Sequence, residues 1–486
     1  MTTGSKIRSG ALWSFMGNTG GRILTFAFGI VLARLLAPEV FGTLLTIQVF
    51  TGMAGFIAGA GMGQALVRAK DTTRADYDIV FTLQLIIGCL IYAFFFFTGP
   101  LIAEWYDNPL YSDLIRVSAL SFLFRPFNNV PANILHREMR FKDTTWVRFA
   151  SIIVSSLTSI VLAYNGFGVW SLILGGMASP LVTIPLYSMY AKWRPGLSLD
   201  ISRAKDIARY GMLVSITDVI VYMRRRVSAF ILSRTLGPAA VGLYNKGESL
   251  AEMPNGFITA SIYQVLFRAM AAEQDNLDKA RYMFYRSIAL VAVYGTPFYI
   301  GLLWIAEPLI RGVYGETWVA AAGPLKILAA AWPFWVLDML SGAVLAAFAW
   351  LHREVASQTA TLIVTSLAIL IGLQYGIDGV AWSLVGAAVF SAGYMYHLAR
   401  TCLQARWTDF LRALVPAAVL NALLAATLFV VDLALPASVK NVDLLYAAAI
   451  TLSGGLVYGL AFLFLPIPSL ASEQLRWKDK LRIGRK

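Results

Sequence analysis

The chain matches itself, in order, about two hundred residues apart, so its fold must accommodate two copies of one plan. Ala33-Arg34-Leu35-Leu36-Ala37-Pro38, with Gly42, returns as Ser233-Arg234-Thr235-Leu236-Gly237-Pro238, with Gly242. Pro100-Leu101-Ile102 with Tyr106 returns as Pro308-Leu309-Ile310 with Tyr314, and Leu135-His136-Arg137-Glu138 as Leu351-His352-Arg353-Glu354. Gly168-Val169, then Trp170-Ser171-Leu172, returns as Gly379-Val380, then Trp382-Ser383-Leu384. Matches that keep their register mark a duplication. The stretches between them are apolar, and duplication within a membrane is a common plan for secondary transporters.

Composition agrees. Of 486 residues, 58% are hydrophobic and only 14% charged, against about 45–50% and 25% in soluble domains. A net charge of +13 would point to nucleic acid in a soluble chain; here cytoplasmic loops account for it, and no nucleic-acid partner is expected. Cys89 and Cys402 lie in or beside apolar runs without metal-ligand spacing and read as packing residues. Lys6 and Arg8 precede an apolar run too long for a cleaved signal, so that run reads as a retained helix.

A bilayer crossing needs about 20 mostly apolar residues. At that length, spans fall near 10–36, 39–67, 77–102, 112–135, 145–164 and 167–190, then 206–235, 238–266, 285–306, 320–350, 355–374 and 377–399, with a last pair near 409–432 and 442–466. The expected fold is an all-α integral membrane protein of about 14 transmembrane helices: two pseudo-symmetric six-helix lobes plus a C-terminal helix pair. The lobes are residues 1–195 and 196–405, and residues 406–486 carry the extra pair and a basic tail. Alternate loops hold the basic residues, among them Arg137, Arg140, Lys142, Arg268, Lys279 and Arg281. The positive-inside rule then places both termini in the cytoplasm. No phosphate-loop motif, H-E-x-x-H or C-x-x-C pair appears. No catalytic residue, metal or cofactor is expected, and the chain does not read as an enzyme.

Charges at span depth carry the chemistry. Arg22, Arg125, Arg224, Arg225, Arg226 and Lys246 all lie within spans. Each facing lipid would cost about 2.5–3.5 kcal/mol, so several must face a wet interior. Helical spacing indicates which. Asn18, Arg22, Thr25 and Gly29 make one stripe; Ser215, Asp218, Tyr222 and Arg225 a second; Glu248, Glu252, Asn255 and Thr259 a third. Arg125, Asn128 and Asn129 sit between Pro126 and Pro131, which free backbone carbonyls. The candidate substrate-binding residues are Arg22, Arg125, Arg225, Arg226, Lys246, Asn18 and Asn129; candidate ion-coupling residues are Asp218, Glu248, Glu252 and Asp338. Alternatively, Arg–Asp or Lys–Glu pairs neutralise each other as struts. The cations outnumber the carboxylates, and such a surplus suits an anion, phosphate above all. Gly52, Gly55, Gly59 and Gly63 share one face, as for close approach of a neighbouring helix.

The opening Gly10-Ala11-Leu12-Trp13-Ser14, the Ala33–Gly42 turn, the Arg137-x2-Arg140-Phe141 loop and Gly166-Phe167-Gly168-Val169-Trp170-Ser171-Leu172 resemble the Wzx-type polysaccharide transporter family of the multidrug/oligosaccharidyl-lipid/polysaccharide exporter superfamily. The resemblance covers residues 5–410. It implies a bacterial inner-membrane carrier that flips undecaprenyl-diphosphate-linked sugar repeat units by rocking two lobes around a cationic lumen. It implies partnership with a polysaccharide polymerase and a chain-length regulator, the carrier itself being monomeric. Competing readings are a peptidoglycan-precursor flippase, a multidrug exporter (which would want an acidic lumen) and a membrane-bound polymerase, ligase or glycosyltransferase, which would want a large extramembrane loop.

Overall fold

The computed structural model describes residues 3–59, 62–63, 66, 72–198, 200, 219, 222–223 and 225–482. Among the described residues all regular structure is helical. In chain order the helices are α1 (Thr3–Leu35), α2 (Pro38–Gly59), α3 (Arg74–Trp105), α4 (Leu110–Ala119), α5 (Ser121–Arg137), α6 (Phe141–Tyr164), α7 (Val169–Ala191) and α8 (225–235). Then come α9 (Gly237–Ala271), α10 (Leu277–Tyr314), α11 (Ala322–Ala347), α12 (Leu351–Gly372), α13 (Gly376–Cys402), α14 (Trp407–Ala434), α15 (Asp443–Phe464) and α16 (Ala471–Lys480). Ten helical stretches among the described residues are long and apolar enough to cross a membrane, so the expected all-helical membrane class holds. The two spans expected at 355–374 and 377–399 fall in one of these stretches, His352–Cys402, and three further expected spans are absent from the ten for identifiable reasons. The span at 112–135 is interrupted at Leu120, which separates α4 from α5. Residues 201–218, the start of another, lie outside the described residues. Helix α9 is diluted by Asn245, Lys246, Glu248, Glu252 and Asn255.

Local chemistry sets the helix ends. Thr73 opens α3 with its backbone N–H on Asp76 Oδ2 at 2.7 Å, and Asn276 Oδ1 accepts the Lys279 N–H at the start of α10, satisfying donors that lack intrahelical partners. Gly166 (φ 80°) and Gly168 (φ 52°) make the turn from α6 to α7, in the left-handed region where a side chain is strained. Helix α5 continues through both prolines. Pro126 leaves the Phe122 carbonyl without its usual donor, and α3 approaches there through Gly88, where a Cβ would stand 2.6 Å from the Phe122 oxygen.

The helices sort into two compact units, Met1–Gly242 and Leu243–Lys486. In the first, α1 lies along α6, α6 along α7, and α3 along α4 and α5; Ile47, Phe95, Leu114, Ile115 and Phe122 form part of its core. Two positions of the sequence repeat meet in this unit. A Cβ on Gly42 would collide with the Pro238 carbonyl, and one on Gly242 with the Pro38 carbonyl, so equivalent glycines of the two copies let their backbones touch. Nearby, the Tyr106 and Ser233 hydroxyls are 3.0 Å apart, and Arg234 reaches Asp107 at 3.7 Å.

In the second unit α11 and α12 pack on α13, while α10 supports α11, α14 and α15. Its core is aromatic, with Tyr299 stacked on Trp332 at 4.4 Å between centroids. Arg311 ties the C-terminal pair to α10 by contacting Glu307 (2.7 Å), Glu316 (3.0 Å) and Asp443 (3.6 Å). Buried Gln474 in α16 donates to the Phe462 and Leu465 carbonyls that end α15.

Candidate functional site

In the first unit a polar stripe on α5 runs beside the glycine face of α2. Arg125, Asn129, Asn133 and Arg137 recur every four residues and so share one side of α5. Arg125 Nη1 donates to the Gly55 carbonyl. A Cβ on Gly55 would lie 2.8 Å from that nitrogen, and one on Gly63 would overlap the Asn133 amide. Arg137 Nη1 donates to the Leu66 carbonyl at 2.9 Å. The Asn133 amide also donates to the Asn129 carbonyl, at 2.8 Å. Gly52 is filled by Tyr222, whose hydroxyl donates to the Gln48 carbonyl. The glycine face therefore admits side-chain heads, which bond to bare helix carbonyls; it is not the seat of a neighbouring backbone, as the spacing alone suggested. Among the described residues, nothing lies within 4 Å of a Cβ placed on Gly59.

Arg226 lies 5.9 Å from the Tyr222 ring centroid, and Arg225 is exposed. Asp218 and Arg224 lie outside the described residues, as does the Thr259 side chain. On the other side of the unit, α1 presents Asn18 and exposed Arg22 one turn apart. Asn18 Oδ1 accepts a hydrogen bond from Arg148 of α6, a residue sequence reasoning passed over. Its aliphatic chain rests at buried Gly21, where a Cβ would be 3.5 Å from Arg148 Cδ. A signal for Arg148 existed: Trp146, Ile153, Leu157 and Val161 form the exposed apolar face of α6, and Arg148 lies about 200° around the helix from Trp146.

Among the described residues, Arg22, Arg125, Arg148, Arg225 and Arg226 form no ion pair with a carboxylate. A single carbonyl bond leaves most of a guanidinium's N–H donors open to another acceptor. The unit thus carries several positive charges that no described carboxylate neutralises, two of them, Arg22 and Arg148, in helices long and apolar enough to cross a membrane; such a set is chemically suited to an anion with several oxygens.

The second unit handles its charges differently. Lys246 sits over the buried Tyr314 and Trp318 rings, 4.5 and 4.8 Å from their centroids. Asn245 Nδ2 donates to Glu248 at 3.5 Å, and Glu252 is exposed. Asp338 accepts from Ser391 Oγ, which in turn is 3.0 Å from Thr361 Oγ1. Glu354 of α12 lies close enough to sense the Asp338 charge; it was not among the expected ion-coupling residues. A cavity of about 510 Å³ in this unit is lined almost wholly by apolar groups, including Trp332, Pro333, Tyr396, Phe410 and Leu414, with Asn421 at its margin.

A family model described as Polysaccharide biosynthesis protein matches residues 31–323. The chain is 24% identical over 334 residues to the lipopolysaccharide biosynthesis protein WzxC of Escherichia coli (strain K12), covering 68% of this chain and 67% of WzxC. It is 26% identical over 319 residues to the succinoglycan biosynthesis transport protein ExoT of Rhizobium meliloti (strain 1021), covering 65% of this chain and 64% of ExoT. Among solved structures, the lipid II flippase MurJ in an inward closed conformation matches with a TM-score of 0.75 at 15% identity, over 97% of this chain and 100% of that one. An inward-facing multidrug resistance MATE family transporter of the MOP superfamily matches at 0.62 and 17% identity, over 79% and 94%. At such identities the structural likeness is one of fold. The family match spans more than half of the chain, and on that ground this multi-pass helical membrane protein belongs to the polysaccharide biosynthesis protein family.

Proposed function

We propose that the protein flips undecaprenyl-diphosphate-linked oligosaccharide repeat units from the cytoplasmic to the periplasmic leaflet of the bacterial inner membrane, by alternating access, for synthesis of an exopolysaccharide, capsule or O-antigen. One observation carries the reading: guanidinium groups at span depth that no described carboxylate neutralises. Keeping such charges away from water or counter-ions costs several kcal/mol, and a diphosphate bridged by arginine forks supplies the missing negative charge. The apolar cavity of the second unit suits a hydrocarbon chain. WzxC and ExoT are named for lipopolysaccharide biosynthesis and for succinoglycan biosynthesis transport, which supports a role in polysaccharide synthesis.

In this reading the chain makes fourteen crossings as six, six and two, with lobes at 1–195 and 196–405 and both termini cytoplasmic. It acts as a monomer beside a polymerase and a chain-length regulator. Asp218, Glu248, Glu252 and Asp338 are the candidates for ion coupling. Surplus cation disfavours a cationic drug as cargo. Deleting the gene should abolish the surface polymer and build up lipid-linked repeat units on the cytoplasmic side. Normal polymer with no such intermediate would overturn the reading.

A further inference from the structure

We infer that Arg148, with Asn18, Arg22 and Tyr187, forms a second phosphate seat in the first unit, separate from the Arg125–Gly55 pair. The inference rests on the proposed function and extends it to Arg148 and Tyr187, which were not among the candidate binding residues. Arg148 points away from the exposed apolar face of α6 formed by Trp146, Ile153, Leu157 and Val161, yet is itself exposed. A guanidinium turned from the lipid side and left uncovered by protein faces water. Its position is held on two sides, by the Asn18 amide oxygen and by the contact at Gly21, so the charge is placed by the fold and does not wander as a surface arginine would. Both Tyr187 on α7 and His136 at the end of α5 feel its field. No described carboxylate pairs with it.

Three helices, α6, α1 and α7, therefore supply donors in this region: the Arg148 fork, Arg22 one turn beyond Asn18, and the Tyr187 hydroxyl. The Asn18 amide oxygen accepts from Arg148, which has donors to spare beyond it. Such a set fits a phosphate or diphosphate oxygen cluster and repels a cation. His136 and Lys142 occupy the loop end of this seam, the end that the charge pattern assigns to the cytoplasm. The seat is thus the first anchoring point for a diphosphate arriving from that leaflet, ahead of Arg125.

The test uses full-length protein in nanodiscs with farnesyl diphosphate as probe and farnesol as control. Arg148→Gln should weaken binding roughly tenfold or more, the worth of a charge-assisted hydrogen bond. Arg148→Lys should recover part of the loss, since charge is kept and the fork is not. Both variants should keep wild-type elution profiles and unfolding temperatures. If Arg148→Gln binds like wild type while Arg125→Ala weakens binding, the second seat is refuted and the proposed function stands. If none of these variants changes binding, or the diphosphate binds no better than farnesol, the proposed function fails and this seat with it.

Discussion

Among the described residues of the unit Met1–Gly242, Arg125 bonds to a glycine carbonyl and Arg148 to an amide oxygen, neither to a carboxylate, and Arg22 and Arg225 stand exposed. In the unit Leu243–Lys486, Arg311 touches three carboxylates, Arg286 reaches Glu473 at 3.6 Å, Lys440 reaches Asp432 at 3.5 Å, and Lys246 is laid over two buried rings. These cations of the two units are thus held in different ways. A cation closed off by carboxylates or aromatic faces holds helices together. One held in place by neutral acceptors keeps its charge available. Under the proposed function, the contrast separates residues that would meet an anionic cargo from residues that brace the fold.

The largest expected effect breaks the contrast outright. Arg22→Ala combined with Arg125→Ala should abolish polymer export with protein levels unchanged. Arg311→Gln should lower the unfolding temperature and leave cargo affinity as it was. Trp318→Ala sharpens the second half. Trp318 is fully buried, so truncation should cost about 3–5 kcal/mol, seen as a drop in unfolding temperature, with export falling only as protein level falls. A subtler pair separates neighbours on α2. Gly55→Leu should push the Arg125 guanidinium aside and cut export several-fold at normal abundance. Gly59→Ala meets nothing within 4 Å and should leave export intact, with stability equal or slightly higher.

The smallest effect is a pH dependence. Burial, and after it the Arg148 charge, pulls the His136 imidazole below its ordinary range. The unfolded chain therefore binds the proton first as pH falls. Stability from neutral His136 is fully present above about pH 6.5 and is lost as pH drops toward the lower folded value. His136→Gln should shrink the difference in unfolding temperature between pH 8 and pH 5; an unchanged difference would remove His136 from the account.

The helical membrane class was legible because apolar runs of bilayer length leave few alternatives. The stripe Arg125–Asn129 was legible because four-residue spacing is a local property. The rest depended on partners distant in sequence. The glycine face of α2 was recognisable as open space, yet its occupants come from residues 125, 133 and 222. Lys246 was read as half of a lysine–glutamate strut or as a lumen charge, and the rings beneath it, Tyr314 and Trp318, stand some seventy residues onward. Arg148 shares a face of α6 with Thr144, Ser151, Ser155 and Ser159, yet its partner Asn18 stands 130 residues earlier. The Gly42–Gly242 contact joined two positions already paired by the repeat, but nothing local said that equivalent points of the copies would touch.

The uncompensated arginines of the first unit are tested most directly by translocation in proteoliposomes holding only this protein, with a fluorescent polyprenyl sugar linked through a diphosphate or a monophosphate. Wild-type protein should move the diphosphate form faster, Arg311→Gln should keep that preference, and Arg22→Ala with Arg125→Ala should erase the movement. Equal rates for the two linkages, or transport that survives the double substitution, would contradict the account.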